Sequence, residues 1–324
     1  MKWLRSWVLP LIVMIALLFF AGLGVTSAVP LILALIWLGY SLYQRKAYWG
    51  LALMGGLFLV VLVAGFWFSR NPDSVASFFM GRMSERAAAQ ANGPEWREES
   101  VGAFRFKYTE QDAGTSQVKD ALPRAYQRVS GFFTDLPAET LVILFPELKS
   151  MEVALNADLP DWSVGGGIGD ILVLTSPPTW SPETGSTVEQ IIAHEFTHVM
   201  VNRTGGPKVP KWLNEGMATF VADQTSPEQR VKVVEKAAGG GLYTLAEIDA
   251  FFRQPAAYPS MNAGLMYAET ASIVTYMMEN YGKDRLMQVL RALRAGKTAD
   301  QALQSALGVN AAGLEAAWVK SLGR

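Results

Sequence analysis

Between Ser6 and Gln44 the chain has no charged residue, and beyond Arg45-Lys46 there is none again before Arg70. A stretch of that kind cannot serve as a water-facing surface, and its length decides what it becomes. As one helix the first run would be about 55 Å long against a hydrocarbon core of about 30 Å, so it requires two crossings of a bilayer. Gly22, Gly24, Thr26, Ser27 and Pro30 supply the break between them. The expected membrane domain, residues 1–70, therefore has helices over about 7–23, 29–43 and 47–68. The third begins with Tyr48 and Trp49 and ends at Phe66-Trp67-Phe68, aromatic residues suited to the membrane–water boundary.

Lysine and arginine set the orientation. Lys2 and Arg5 precede the first helix and Arg45-Lys46 follow the second, while the turn between the two is uncharged. Both basic clusters belong in the cytoplasm, and a third crossing places everything after residue 70 outside. Arg70 alone opposes this. The rival reading is a cleaved signal peptide with Thr26-Ser27-Ala28 as its processing site. The apolar segment that follows at once counts against it. The expectation is an integral protein of the plasma (inner) membrane, in contact with the lipid bilayer through residues 1–70, its N-terminus cytoplasmic and its main domain extracytoplasmic.

Five of the 28 Lys and Arg lie in 1–70, so 23 remain to face 29 Asp and Glu, a net of −6. That mildly acidic balance argues against nucleic acid as a partner, and none is expected. Cysteine is absent, which removes disulfides, thiolate ligands and a cysteine nucleophile.

Residues 71–100 are polar and read as a linker or juxtamembrane helix, and 101–324 as the main domain. Phe104 to Tyr108 alternates as a strand does, and Leu141–Phe145 is a short buried strand. Leu122, Tyr126, Val129 and Phe133 recur at helical spacing, predicting a helix over 121–133 with Pro123 in its first turn. Gly165-Gly166-Gly167-Ile168-Gly169 lacks the Gly-Lys-Ser/Thr ending of a P-loop and the third glycine of a dinucleotide fingerprint, so it reads as a flexible turn before the strand Ile171–Leu174. Residues 264–322 read as helices, with Gly282 and Gly308 as stops and Gly296-Lys297-Thr298 as a helix-ending turn.

The only two histidines stand four residues apart, as His194-Glu195-Phe196-Thr197-His198. On a helix, positions i and i+4 share a face, so both imidazoles can reach one zinc ion, and Glu195 is placed as general base toward a water that the ion activates. Ser186-x-x-Glu189 is a capping-box pattern before this helix, and Gly205-Gly206-Pro207 ends it. Ile192, Phe196, Val199 and Arg203 form a different stripe, its first three members apolar. A catalytic zinc needs a third protein ligand. After Pro210 the chain reads Lys211-Trp212-Leu213-Asn214-Glu215-Gly216-Met217-Ala218-Thr219-Phe220, with Leu213, Met217 and Phe220 as an apolar face. Glu215 lies off that face among small neighbours that permit close helix approach, which makes it the candidate ligand.

His194-Glu195-x-x-His198 followed by Trp212-Leu213-Asn214-Glu215-Gly216-Met217-Ala218 resembles the gluzincin zinc peptidases, specifically the peptidase MA-like domains. The likeness covers roughly 100–324 and is strongest from 187 to 282, including Tyr267 to Tyr276 and Asn280-Tyr281-Gly282. The spacing from His198 to Glu215 is slightly shorter than in thermolysin-like or aminopeptidase-type members. The resemblance implies an α+β gluzincin fold, a small mixed sheet with a helical C-terminal subdomain. It implies one catalytic Zn²⁺ bound by His194, His198 and Glu215, Glu195 as base, and a peptide or protein substrate. It also implies a strand along the cleft, for which Ile171–Leu174 is the candidate, and an oxyanion-stabilising group, for which Tyr267 is the candidate.

The expected function is thus that of a membrane-anchored zinc metallopeptidase. The alternative is a zinc-stabilised binding or assembly domain without hydrolysis, since three helices exceed what a tether needs. An intramembrane protease would need its motif inside an apolar span. Here Glu183, Thr184, Ser186, Thr187, Glu189 and Gln190 precede the motif and Asn202-Arg203 follow it.

Overall fold

The structure, a computed structural model, describes residues 72–324 apart from 111–112, 182–184, 255–256, 259–260 and 324. The three expected membrane helices lie outside the described residues. Among the described residues no helix is long and apolar enough to cross a membrane. Asp73–Arg324 forms one compact unit.

Five strands make one mixed sheet: β1 Arg97–Val101, β2 Phe104–Tyr108, β3 Thr140–Phe145, β4 Gly165–Ile168 and β5 Ile171–Thr175. Their order is β1-β2-β3-β5-β4. The two central pairings, β2 with β3 and β3 with β5, are parallel, and both outer pairings are antiparallel. The helices are α1 Pro72–Gln90, α2 Ala113–Ser130, α3 Leu148–Leu155, α4 Val188–Gly205, α5 Lys211–Ala222, α6 Pro227–Ala238, α7 Leu245–Arg253, α8 Ala263–Arg294, α9 Ala299–Leu307 and α10 Ala311–Leu322. The architecture is α+β, a small sheet followed by a helical C-terminal part.

Strand β3 explains the layering. Its residues alternate between faces, yet every one is buried, because both faces are covered. Val142 and Leu144 join Phe104, Phe106, Leu172 and Leu174 under α2 and α4, in the larger core. Leu141, Ile143 and Phe145 meet Ala87 and Ala91 near the end of α1 and Met151, Ala154 and Leu155 of α3. Lys107 is buried for the same reason. It projects toward the end of α1, where its ammonium donates to the Ala91 carbonyl at 3.1 Å and pairs with Glu98 at 3.1 Å. The segment 71–100 thus contributes a covering helix and the edge strand β1.

Three local expectations change. The helix expected over 121–133 begins at Ala113, so Pro123 lies in its interior and not in its first turn. The missing N–H there breaks one bond of the ladder without ending a helix that packs along its apolar face. The glycine run 165–168 is strand β4, not a flexible turn, and Gly169 (φ 60) makes the reversal into β5. Consequently β5 is interior, with both edges paired, and cannot offer an edge to substrate. In the C-terminal part Gly282 does end a helical stretch as expected: its φ of 79 and ψ of 164 are not helical and divide α8 into two helices at a kink. Gly308 (φ 80) closes α9 in the left-handed conformation glycine favours.

Candidate metal centre

Two helices and one strand build the site. Helix α4 starts one residue later than its first capping pattern suggests: Thr187, not Ser186, is the cap, accepting from Gln190 N–H while the Gln190 side chain returns to the Thr187 backbone. Its apolar stripe holds as expected. Ile192, Phe196 and Val199 are fully buried, and the Phe196 ring sits 5.3 Å from Phe104 of β2 and 6.1 Å from Tyr126 of α2. Clamping that face against the sheet turns His194 and His198 the other way, their rings 4.7 Å apart and nearly perpendicular.

Helix α5 is held at both ends. Pro210 has no side chain to cap it, and the carboxylate of Asp249 in α7 reaches over to accept from the free N–H groups of Lys211 (2.5 Å) and Trp212 (3.3 Å). In its middle, Gly216 lies against α8. A Cβ there would stand 2.6 Å from the Thr270 carbonyl oxygen and 2.9 Å from Val274. Gly216, next to Glu215, therefore serves contact with α8.

Across this packing, Oε2 of Glu215 lies 3.6 Å from Nε2 of His194 and 3.5 Å from Nε2 of His198. One ligand atom from each of the three residues falls within 4.8 Å of the others. Two ligands about 2.1 Å from zinc at a tetrahedral angle lie about 3.4 Å apart, so the Glu215 separations suit that ion. The far nitrogens of both rings are engaged. His194 Nδ1 is 2.6 Å from Gln224 Oε1, and His198 Nδ1 is 2.8 Å from Asn214 Oδ1. The Asn214 amide in turn donates to Asn202 Oδ1 at 3.3 Å. With hydrogens on Nδ1, both Nε2 lone pairs would face Glu215, as metal ligation needs.

The same groups are coupled through their charges. Burial would raise the Glu215 carboxyl, but the imidazoles of His198 and His194 outweigh it and hold Glu215 down at about 2, so it is anionic. Burial pulls His194 down while Glu215 and Glu195 pull it up, and the carboxylates win. Burial, reinforced by the charges of Glu215 and Glu195, pushes the Tyr267 phenol well above its ordinary value, which keeps it a donor.

Glu195 faces β4. Its Oε2 accepts from Gly167 N–H at 3.1 Å. A side chain on Gly167 would be 2.5 Å from the Glu195 carbonyl oxygen and 3.0 Å from His198 Cβ. The glycines permit this strand to lie directly on the motif helix. Tyr267 of α8 sits with its ring 6.1 Å from His194 and 4.9 Å from Phe252. All five residues singled out in the sequence thus gather at one place. The sequence reading missed Gln224, the Asn214–Asn202 link and the Gly167 contact. A search for an amide or carboxylate acceptor near each histidine could have flagged Asn214, but nothing local marks Gln224.

No curated protein matches this chain closely enough to be counted a relative. Among solved structures, the chain is similar to a two-domain M1 zinc metallopeptidase bound to L-arginine, at 15% identity and a TM-score of 0.40, over 71% of this chain and 51% of that one. The chain therefore spans about half the length of that structure. Residues 179–323, which hold both helices of the centre and everything after them, match the family model of the Peptidase MA superfamily.

Proposed function

We propose that this chain is a membrane-anchored zinc metallopeptidase whose domain after residue 70 works outside the cytoplasm. One observation carries the reading: two imidazole Nε2 atoms and one carboxylate converge from two helices, with an amide oxygen beside each Nδ1. The match of 179–323 to the Peptidase MA superfamily supports it. The charge pattern of residues 1–70 supports the anchoring and the orientation.

His194, His198 and Glu215 would hold the ion, which when bound supplies a Lewis acid and an acidified water. Glu195 takes the proton of the attacking water and then delivers it to the leaving amine. Its hydrogen bond from Gly167 N–H holds the carboxylate beside the strand rather than free in the cleft. The neutral Tyr267 hydroxyl donates to the oxygen on which charge develops. Strand β4, unpaired by any other strand among the described residues on its side away from β5, is the edge along which an extended peptide would align its backbone.

Hydrolysis of an unstructured peptide by the full-length chain tests this. Activity should disappear with a chelator and return with zinc. Zinc bound without hydrolysis across varied unfolded substrates would instead favour a non-hydrolytic binding domain.

A further inference from the structure

Helix α5 ends in a way that serves the metal centre. Asp223 adopts a left-handed conformation (φ 53), with its N–H bonded to Phe220 O and the N–H of Gln224 bonded back to Thr219 O at 3.1 Å. Gln190 of α4 donates to the Asp223 carbonyl at 2.6 Å, tying this turn to the start of the motif helix. The reversal delivers the Gln224 side chain to the outer edge of the His194 ring, 2.6 Å from Nδ1. The other arm of that amide donates to Ser186 Oγ at 3.3 Å, with the oxygen turned toward the imidazole. Ser186, displaced from the helix cap by Thr187, has this contact instead.

We propose that Gln224 is a positioning residue for the metal centre: its oxygen holds His194 as the Nδ1–H tautomer and so keeps Nε2 open for the ion. The proposal rests on the zinc reading above. A ligating imidazole must carry its proton on the nitrogen that does not bind metal, and an acceptor at that nitrogen selects the tautomer and the ring orientation. Asn214 does this for His198 from within the motif. Gln224 does it for His194 from nine residues beyond Glu215, through a helix terminus.

The chain's two histidines make the test direct, because its imidazole ¹H–¹⁵N correlation spectrum contains only His194 and His198. In the metal-free full-length protein both rings should show the Nδ1–H pattern. Gln224→Leu should move His194 toward the Nε2–H pattern and leave His198 unchanged, which also reports that the fold survives. Zinc affinity, read by competition with a chromogenic chelator, should fall about 10- to 100-fold. Gln224→Glu, which keeps the acceptor, should restore both the tautomer and the affinity. An unchanged His194 pattern and unchanged zinc affinity in Gln224→Leu would overturn the proposal. Failure of the wild-type chain to bind zinc would instead overturn the proposed function, and the His194 pattern would still decide whether Gln224 sets the tautomer.

Discussion

The backbone nitrogen of Gly167 lies 3.1 Å from the carboxylate of Glu195, and the two main chains are so close that a methyl group on Gly167 would stand 2.5 Å from the Glu195 carbonyl. The strand edge and the base are therefore set by one contact. Gly167→Ala must push β4 off α4. The expected cost is about 1–3 kcal/mol of stability. Turnover should drop at least about 10-fold while zinc content stays at the wild-type level, because misplacing a reacting group by an ångström is expensive in rate. Thermal unfolding, metal content and kcat on the same preparation check this. Undiminished turnover would contradict the contact's role.

Glu195→Gln removes the base but keeps a side chain that can accept from Gly167 N–H. Loss of about 10²- to 10⁴-fold in kcat is expected, with zinc retained. Full activity in this variant would remove Glu195 from the mechanism.

Tyr267→Phe deletes one hydroxyl and keeps the ring against Phe252 and His194. If the phenol stabilises developing charge, kcat falls by about 10²-fold and KM stays nearly constant. A change in KM alone would make Tyr267 a substrate contact and not an oxyanion donor.

Glu269 of α8 is fully buried. One oxygen accepts from Tyr243 N–H at 3.1 Å, and the other has no partner among the described residues. Burial pushes its carboxyl up to about 8, with Glu247 adding to the rise and the Tyr243 bond and Lys236 opposing it. The folded value lies above the unfolded one, so this group's stabilising contribution is complete below about pH 4.5 and is lost as pH rises through about 8. Glu269→Gln removes that loss. Its unfolding free energy relative to wild type should improve by up to about 1.4 kcal/mol per pH unit across the interval. A difference that is flat with pH, measured by denaturant unfolding, would contradict the assignment.

Much of the centre was legible because its chemistry is local. The His194–His198 spacing needs only a helix, and the stripe of Ile192, Phe196 and Val199 says which way that helix faces. Glu215 required a guess about which helices touch, and the answer lies in the 3.5–3.6 Å approach of its carboxylate to both imidazoles, which no spacing within α5 encodes. The strands β2 and β3 were readable from their own residues. The glycine run was not, since glycine has little strand preference; pairing with β5 and contact with α4 impose its conformation. Gln224 was invisible for a similar reason. Its role comes from a helix terminus that folds back on another helix, a tertiary relationship with no sequence spacing of its own.

The account depends most on Glu215 completing a site with His194 and His198. Metal analysis of the full-length chain against Glu215→Ala measures that directly. The expected result is one zinc per wild-type chain and a large loss in the variant, with His194 and His198 unable to retain the ion alone. Equal zinc content in the two proteins would contradict the account.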